Sequence, residues 1–163
     1  LPLESSDTLN ENWGFNIGDS KYKSAAELER CLVRAAGNNS NLLMNIGPYP
    51  NGDIDPQFAS RLHEVGEWMS KYGESVYNTR GGPIPPGDWG VTTQKENKIY
   101  VHILNWSAPM LALAPVSRKI TAAHTLIGNS PVEFKQNPDG VILKLPPPKE
   151  AETDRVIVLT TTM

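Results

Sequence analysis

Glu4 stands in the opening stretch LPLESSDTLNENWGFN, Leu1 to Asn16, a few residues ahead of the pair Trp13-Gly14. A carboxyl group can give or take a proton during a reaction, and an indole can pack against the apolar face or methyl group of a sugar. Glycoside hydrolysis uses a second carboxyl group across the scissile bond, and no obvious second one is present. Further on, NLLMNIGP, Asn41 to Pro48, is an apolar run that ends abruptly in Gly-Pro. A glutamate taken singly is solvated surface and a tryptophan taken singly is core. Only their combination on neighbouring loops points to chemistry.

Other reactive side chains offer less. The one cysteine, Cys31, has no partner for an internal disulfide and falls on the apolar face of a predicted helix, which suits a structural thiol. The three histidines, His63, His102 and His124, are too far apart for metal-ligand spacing, so neither a metal nor a cofactor is expected. His63 and His124 lack an evident acidic partner to orient them as bases and read as structural or exposed. Asn38-Asn39-Ser40 and Asn105-Trp106-Ser107 match the N-glycosylation pattern.

The elements that must position Glu4, Trp13 and Asn45-Gly47 can be read from periodicity and caps. Ser24 and Glu27 form a capping box ahead of a helix over Ala25–Ala36, with Leu28, Cys31, Leu32 and Ala35 on one face and Gly37 as its stop. Leu42–Ile46 has the unbroken apolar pattern of a parallel strand covered on both faces. Asp55-Pro56 suits an N-cap followed by proline, after which Phe58, Leu62, Val65 and Met69 recur at helical spacing up to Gly73. With an extended Ser5–Leu9 segment in front, the order is βαβα, which implies parallel strands. Active-site groups of such units sit at the carboxyl ends of the strands, so Glu4, Trp13 and Asn45-Gly47 are expected around one mouth. Two units cannot close a sheet, and the pattern is that of the last quarter of a larger barrel.

Beyond Tyr77, the run GGPIPPG, Gly81 to Gly87, cannot continue a helix. Short β patterns follow at Trp89–Gln94, Lys98–Asn105, Arg118–Leu126, Val132–Gln136, Val141–Leu145 and Val156–Thr160, the spacing of a small antiparallel sandwich. Pro146–Pro148 reads as a loop before the last of them. The fold class is α/β plus all-β: residues 1–80 as the last two βα units of a TIM-like (β/α) barrel, residues 81–163 as a β-sandwich.

The 163 residues are 39% hydrophobic and 20% charged, enough apolar material for a core. A net charge of −3 with scattered lysines and arginines argues against a nucleic-acid partner. No apolar run approaches the roughly 20 residues of a membrane span, so no membrane partner is expected, and the first residues do not look like a signal peptide.

Five blocks taken in order, LESSDTLNENWGFN, YKSAAELERCLV, NLLMNIGPYPNGDI, RLHEVGEWMSKYGESVYNTRGGP and WGVTTQKENKIYVHILNW, closely resemble the C-terminal part of the α-L-fucosidases of glycoside hydrolase family 29. The match runs from about Pro2 to Trp106. It implies a retaining exo-glycosidase with a (β/α) barrel and a C-terminal β-sandwich, acting on a fucosylated glycan. In that family an aspartate on a barrel strand attacks the anomeric carbon of terminal L-fucose and a separate acid protonates the departing oxygen. The resemblance implies Glu4 as that acid/base and Trp13 as a substrate-binding aromatic beside the C6 methyl of fucose. Leu3 stands where many relatives have tryptophan.

The nucleophile of the family lies upstream of the stretch that LPLES resembles, so this chain is expected to be inactive alone, with the N-terminal part of the barrel, or self-association, as its protein partner. A non-catalytic carbohydrate-binding or scaffold piece and one half of a split enzyme are the alternatives. The resemblance suggests a secreted, periplasmic or lysosomal protein and nothing finer.

Overall fold

The computed structural model describes residues 3–147 and 152–162. Leu1 and Pro2 of the opening stretch and Pro148 of the proline loop lie outside them.

Two parallel strands and two helices come first. β1 (Glu4–Thr8) and β2 (Asn41–Asn45) pair in parallel, with Glu4 opposite Asn41 and Thr8 opposite Asn45. A parallel pair needs a crossover, supplied by α1 (Ala25–Gly37). The Ser24–Glu27 capping box is formed in both directions. The helix runs one residue past its expected stop, because Asn38 closes it and the turn of chain reversal falls on Asn39, at φ 60°. α2 (Pro56–Tyr72) starts on Asp55, whose carboxylate accepts the Gln57 N–H, and ends at Gly73, the first residue of a single 3₁₀ turn.

The helices cover one face of the β1–β2 pair. Leu9, Leu28 and Phe58 are the buried centre there, with Tyr22, Met44, Ile46 and Val65 around them. The double-sided burial expected for β2 is not found: Leu43, on its other face, is 44% exposed. The buried face of α1 is also turned from its expected place, with Val33 and Glu29 inside and Cys31 and Leu32 only half-buried. On α2, Leu62 is exposed, while Trp68 is buried and stacks on Tyr72 with centroids 5.1 Å apart.

The remainder is antiparallel. Five strands form one sheet in the order β3-β4-β5-β10-β7, namely Arg80–Gly81, Gly90–Lys95, Lys98–Ile103, Arg155–Thr161 and Ile120–Thr125. Three form another, β6-β9-β8, namely Met110–Leu113, Gly140–Lys144 and Phe134–Asn137. Their inner side chains share one core: Val101 and Ile103 of β5, Ile157 and Leu159 of β10, Leu111 and Leu113 of β6, and Val141 and Leu143 of β9. β3 and β6 were not expected from the sequence.

The helical and antiparallel parts are joined. Val33 of α1 and Trp68 of α2 pack with Val91 and Leu104 of the sheet. A Cβ on Gly37 would lie 2.5 Å from Val91 atoms. Beneath this contact lies a polar layer in which His102 Nδ1 meets Asp154 Oδ2 at 2.6 Å, with both side chains fully buried. His102 Nε2 faces Thr93 Oγ1 at 3.1 Å, and Thr93 Oγ1 donates to the Ser75 carbonyl at 2.6 Å.

Candidate functional site

The two parallel strands deliver two loops to the same end. The loop after β1 begins at Leu9 and the loop after β2 at Ile46, and they touch. The Asn45 side-chain amide donates to the Trp13 carbonyl. Gly47 lies so close to the other loop that a Cβ there would be 2.5 Å from the Gly14 carbonyl carbon. Only glycine permits that approach. Trp13 is 56% exposed, so its side chain is not spent on the core.

The first loop is held from within. Asp19 Oδ2 accepts the Glu11 and Asn12 N–H groups at 3.2 Å each and the Asn12 amide at 2.8 Å, and Oδ1 accepts Lys21 N–H at 3.2 Å. These donors, the Asn12 amide above all, hold the Asp19 carboxyl below its ordinary range. The second loop is tied to the first through Asp55. Its Oδ1 accepts Gln57 N–H, and its Oδ2 accepts both the Tyr22 and the Tyr49 hydroxyls, each bond 2.8 Å. The Gln57 N–H and then the Tyr22 hydroxyl hold Asp55 low, and the same carboxylate pushes Tyr22 up to about 12.

On β1 itself, Asp7 forms an ion pair with Lys23 and accepts Cys31 Sγ at 3.5 Å. Burial pushes the Asp7 carboxyl up, but the bonds from Lys23, the Thr8 N–H and Cys31 outweigh it and leave it lowered. Burial and the Asp7 bond together raise the Cys31 thiol, so its thiolate is scarce at neutral pH, in keeping with a structural role.

Glu4 is not at this mouth. It is the first residue of β1, while Trp13 follows the strand's carboxyl end. Four residue steps of about 3.3 Å put Glu4 roughly 13 Å from the Thr8 end. Trp13, Asn45 and Gly47 therefore meet beyond the carboxyl ends of the two strands, whereas Glu4 stands at the other end of β1. The Glu4 side chain is exposed. His63 is exposed, as expected, but it does have a local acidic neighbour: its Nε2 lies 3.5 Å from Glu67 Oε1 one turn on. Of the two glycosylation patterns, Asn38 is engaged with the Arg34 carbonyl and Ser40 is buried, whereas Asn105 is exposed after β5. Among the described residues no group of three or more His, Cys, Asp or Glu could hold a metal ion, and no helix is long and apolar enough to cross a membrane.

Asp55 and the pair His102–Asp154 escaped the sequence reading. The Asp55-Pro56 cap was visible, but its second oxygen is satisfied from residues 33 and 6 positions away. His102 and Asp154 are 52 residues apart and meet only because β5 and β10 pair.

Comparison with known proteins places this geometry. The family model described as "Alpha-L-fucosidase" matches residues 1–74. The solved α-L-fucosidase isoenzyme 1 from Paenibacillus thiaminolyticus superposes with a TM-score of 0.88 at 32% identity, covering all of this chain and 40% of that one.

The chain is similar to part of the α-L-fucosidases.

The α-L-fucosidase from Vibrio sp. strain EJY3 superposes with a TM-score of 0.87 at 26% identity, over 99% of this chain and 30% of its own. The plasma α-L-fucosidase of Homo sapiens is 34% identical over 102 residues, 58% of this chain and 22% of that protein. The chain thus spans well under half the length of each of these fucosidases. The superposition with the Paenibacillus enzyme extends through the two antiparallel sheets, beyond the stretch that the family model matches.

Proposed function

We propose that this chain is the C-terminal part of a retaining α-L-fucosidase that releases terminal α-linked L-fucose from glycoconjugates. β1-α1-β2-α2 then supplies the last two units of a (β/α) barrel, roughly residues 1–80, and the paired antiparallel sheets form the C-terminal β-sandwich, residues 81–163. The observation that carries the reading is the fused pair of loops at the carboxyl ends of two parallel strands, with an exposed indole on top, in a chain similar along its whole length to solved fucosidases. Ligands of barrel enzymes bind at that end.

Trp13 is the substrate-binding aromatic, positioned by the Asn45 amide on its carbonyl. The nucleophile comes from barrel strands outside this chain, and those strands cover Leu43 and the uncovered face of β1 and β2. The test is direct. The full-length protein should release nitrophenol from an aryl α-L-fucoside at a rate of order 10 per second, and the 163-residue chain alone should not. A full-length protein without that activity, or an active isolated chain, overturns the proposal.

The position of Glu4 at the opposite strand end weighs against it as the acid/base and for a role in fixing the start of β1. In the full-length enzyme, Glu4→Ala should slow substrates with good and poor leaving groups alike, and azide should rescue neither. Selective loss on poor leaving groups with formation of β-fucosyl azide would instead make Glu4 the acid/base.

A further inference from the structure

The loop after β1 turns three apolar side chains outward at alternate positions: Trp13, Phe15 and Ile17 are 56%, 43% and 92% exposed. Ile17 is more exposed than any other large apolar residue among those described. Water contact of this extent on one loop is a cost that a ligand would relieve. Phe15 and Tyr49 meet edge to face, with ring centroids 5.5 Å apart, and so join the two loops.

Between the loops lies a cleft of about 280 Å³, whose walls include Phe15, Ile17 and Tyr49 as apolar surface and Asn10, Asn16 and Asp19 as polar surface. The lining carries no lysine, arginine or histidine. The hydroxyls of Tyr22 and Tyr49 are already committed to Asp55, which fixes the rear wall. Apolar ring surface opposite amide and carboxylate acceptors fits a pyranose, which has apolar C–H faces and a rim of hydroxyl donors.

We propose that this cleft binds the sugar to which the fucose is attached, and that it selects a neutral sugar over an anionic one. The inference rests on the fucosidase reading and deepens it. Trp13 and Phe15 are two residues apart on one loop, and Phe15 lines the cleft, so the cleft neighbours the fucose site proposed at Trp13. Selection follows from charge. Asp19 and Asp55 both line the cleft and stay ionised well into the acid range, so a sulfate or carboxylate on the sugar meets two like charges with no cation to offset them.

The experiment uses the full-length enzyme and three substrates: α-L-fucosyl fluoride, whose leaving group has no ring, a neutral fucosyl disaccharide, and the same disaccharide carrying a sulfate on the second sugar. The readout is the ratio of kcat/KM for the neutral disaccharide to that for the fluoride. Phe15→Ala and Ile17→Ser should each lower that ratio about tenfold, chiefly through KM. Ile17→Ser acts on an almost wholly exposed side chain, so it keeps the test valid if Phe15→Ala misfolds. For the unaltered enzyme the sulfated disaccharide should be at least about fivefold poorer than the neutral one, the effect of one like charge at about 4 Å through water. An unchanged ratio in both variants overturns the subsite, and equal turnover of sulfated and neutral substrates overturns its selectivity. An unaltered enzyme inert on the fluoride overturns the fucosidase reading and the subsite with it.

Discussion

Three donors from three parts of the chain converge on the Asp55 carboxylate, and they set its electrostatics as well as its position. Its folded form is held below the ordinary carboxyl value, so the stability it supplies is present above that value and lost as pH falls through the lowered one. Asp55→Ala should cost about 1 kcal/mol through the helix cap, with a further loss from the two phenol bonds. The gap from the unaltered protein in thermal melts should be constant from about pH 7 to pH 5 and close only as the pH falls below the ordinary carboxyl value. The same substitution should move Tyr22 from about 12 toward its ordinary value near 10 and lower the raised Tyr49 as well, read as an ultraviolet titration of two phenols. Cys31 offers a second check at this scale. With its thiol raised by burial and by the Asp7 bond, it should react with iodoacetamide at neutral pH more slowly than free cysteine does.

At the scale of elements, the decisive contact is backbone against backbone. Because a Cβ on Gly47 would meet the Gly14 carbonyl carbon and the Phe15 nitrogen at 2.5 and 2.7 Å, Gly47→Ala has no flexible side chain to push aside. The loops must part, at about 1–3 kcal/mol by the usual cost of overpacking. In the full-length enzyme KM for fucosides should rise with little change in the far-ultraviolet spectrum. Much of this layout is legible in the sequence, and the reason is locality. The Ser24–Glu27 box and the Asp55-Pro56 cap are made by residues within three positions of each other, so spacing alone reveals both helix starts. What was not legible depends on partners far along the chain. β6 is Met-Leu-Ala-Leu, a composition that favours helix, and only its pairing with β9 makes it a strand. β1 reads Glu-Ser-Ser-Asp-Thr, and the expected extended run Ser5–Leu9 already put Glu4 at the start of the strand, at the end away from the loops that carry Trp13 and Asn45. Trp13 as a candidate was legible because a tryptophan before glycine in a loop needs no partner to be noticed. The Phe15–Tyr49 cleft was not, because its second wall comes from the other loop.

The molecule as a whole is held together across a polar seam. Glu29 of α1 is buried and accepts the Thr153 hydroxyl beside Asp154. Burial raises its carboxyl pKa, so its contribution favours folding below the ordinary carboxyl value and falls away as pH rises through the raised one. Glu29→Gln should therefore raise the melting temperature at about pH 7, with the gain shrinking toward about pH 4. Asp154→Ala should act in the opposite sense, by about 3–5 kcal/mol, because it strands a fully buried imidazole. If the two helices and the sheets then melt separately in calorimetry, the seam is what makes them one cooperative unit. The strand that carries this seam has a further consequence, in time rather than in energy. β10 is hydrogen-bonded on both sides, to β5 and β7, yet it begins 52 residues after β5 ends. At ribosomal speeds of about 5–20 residues per second, β5 waits about three to ten seconds for its neighbour. Once β7 has been made, and until β10 follows, a nascent chain displays two unpaired strand edges flanking an empty lane, an opening that either a chaperone or another nascent chain can fill first.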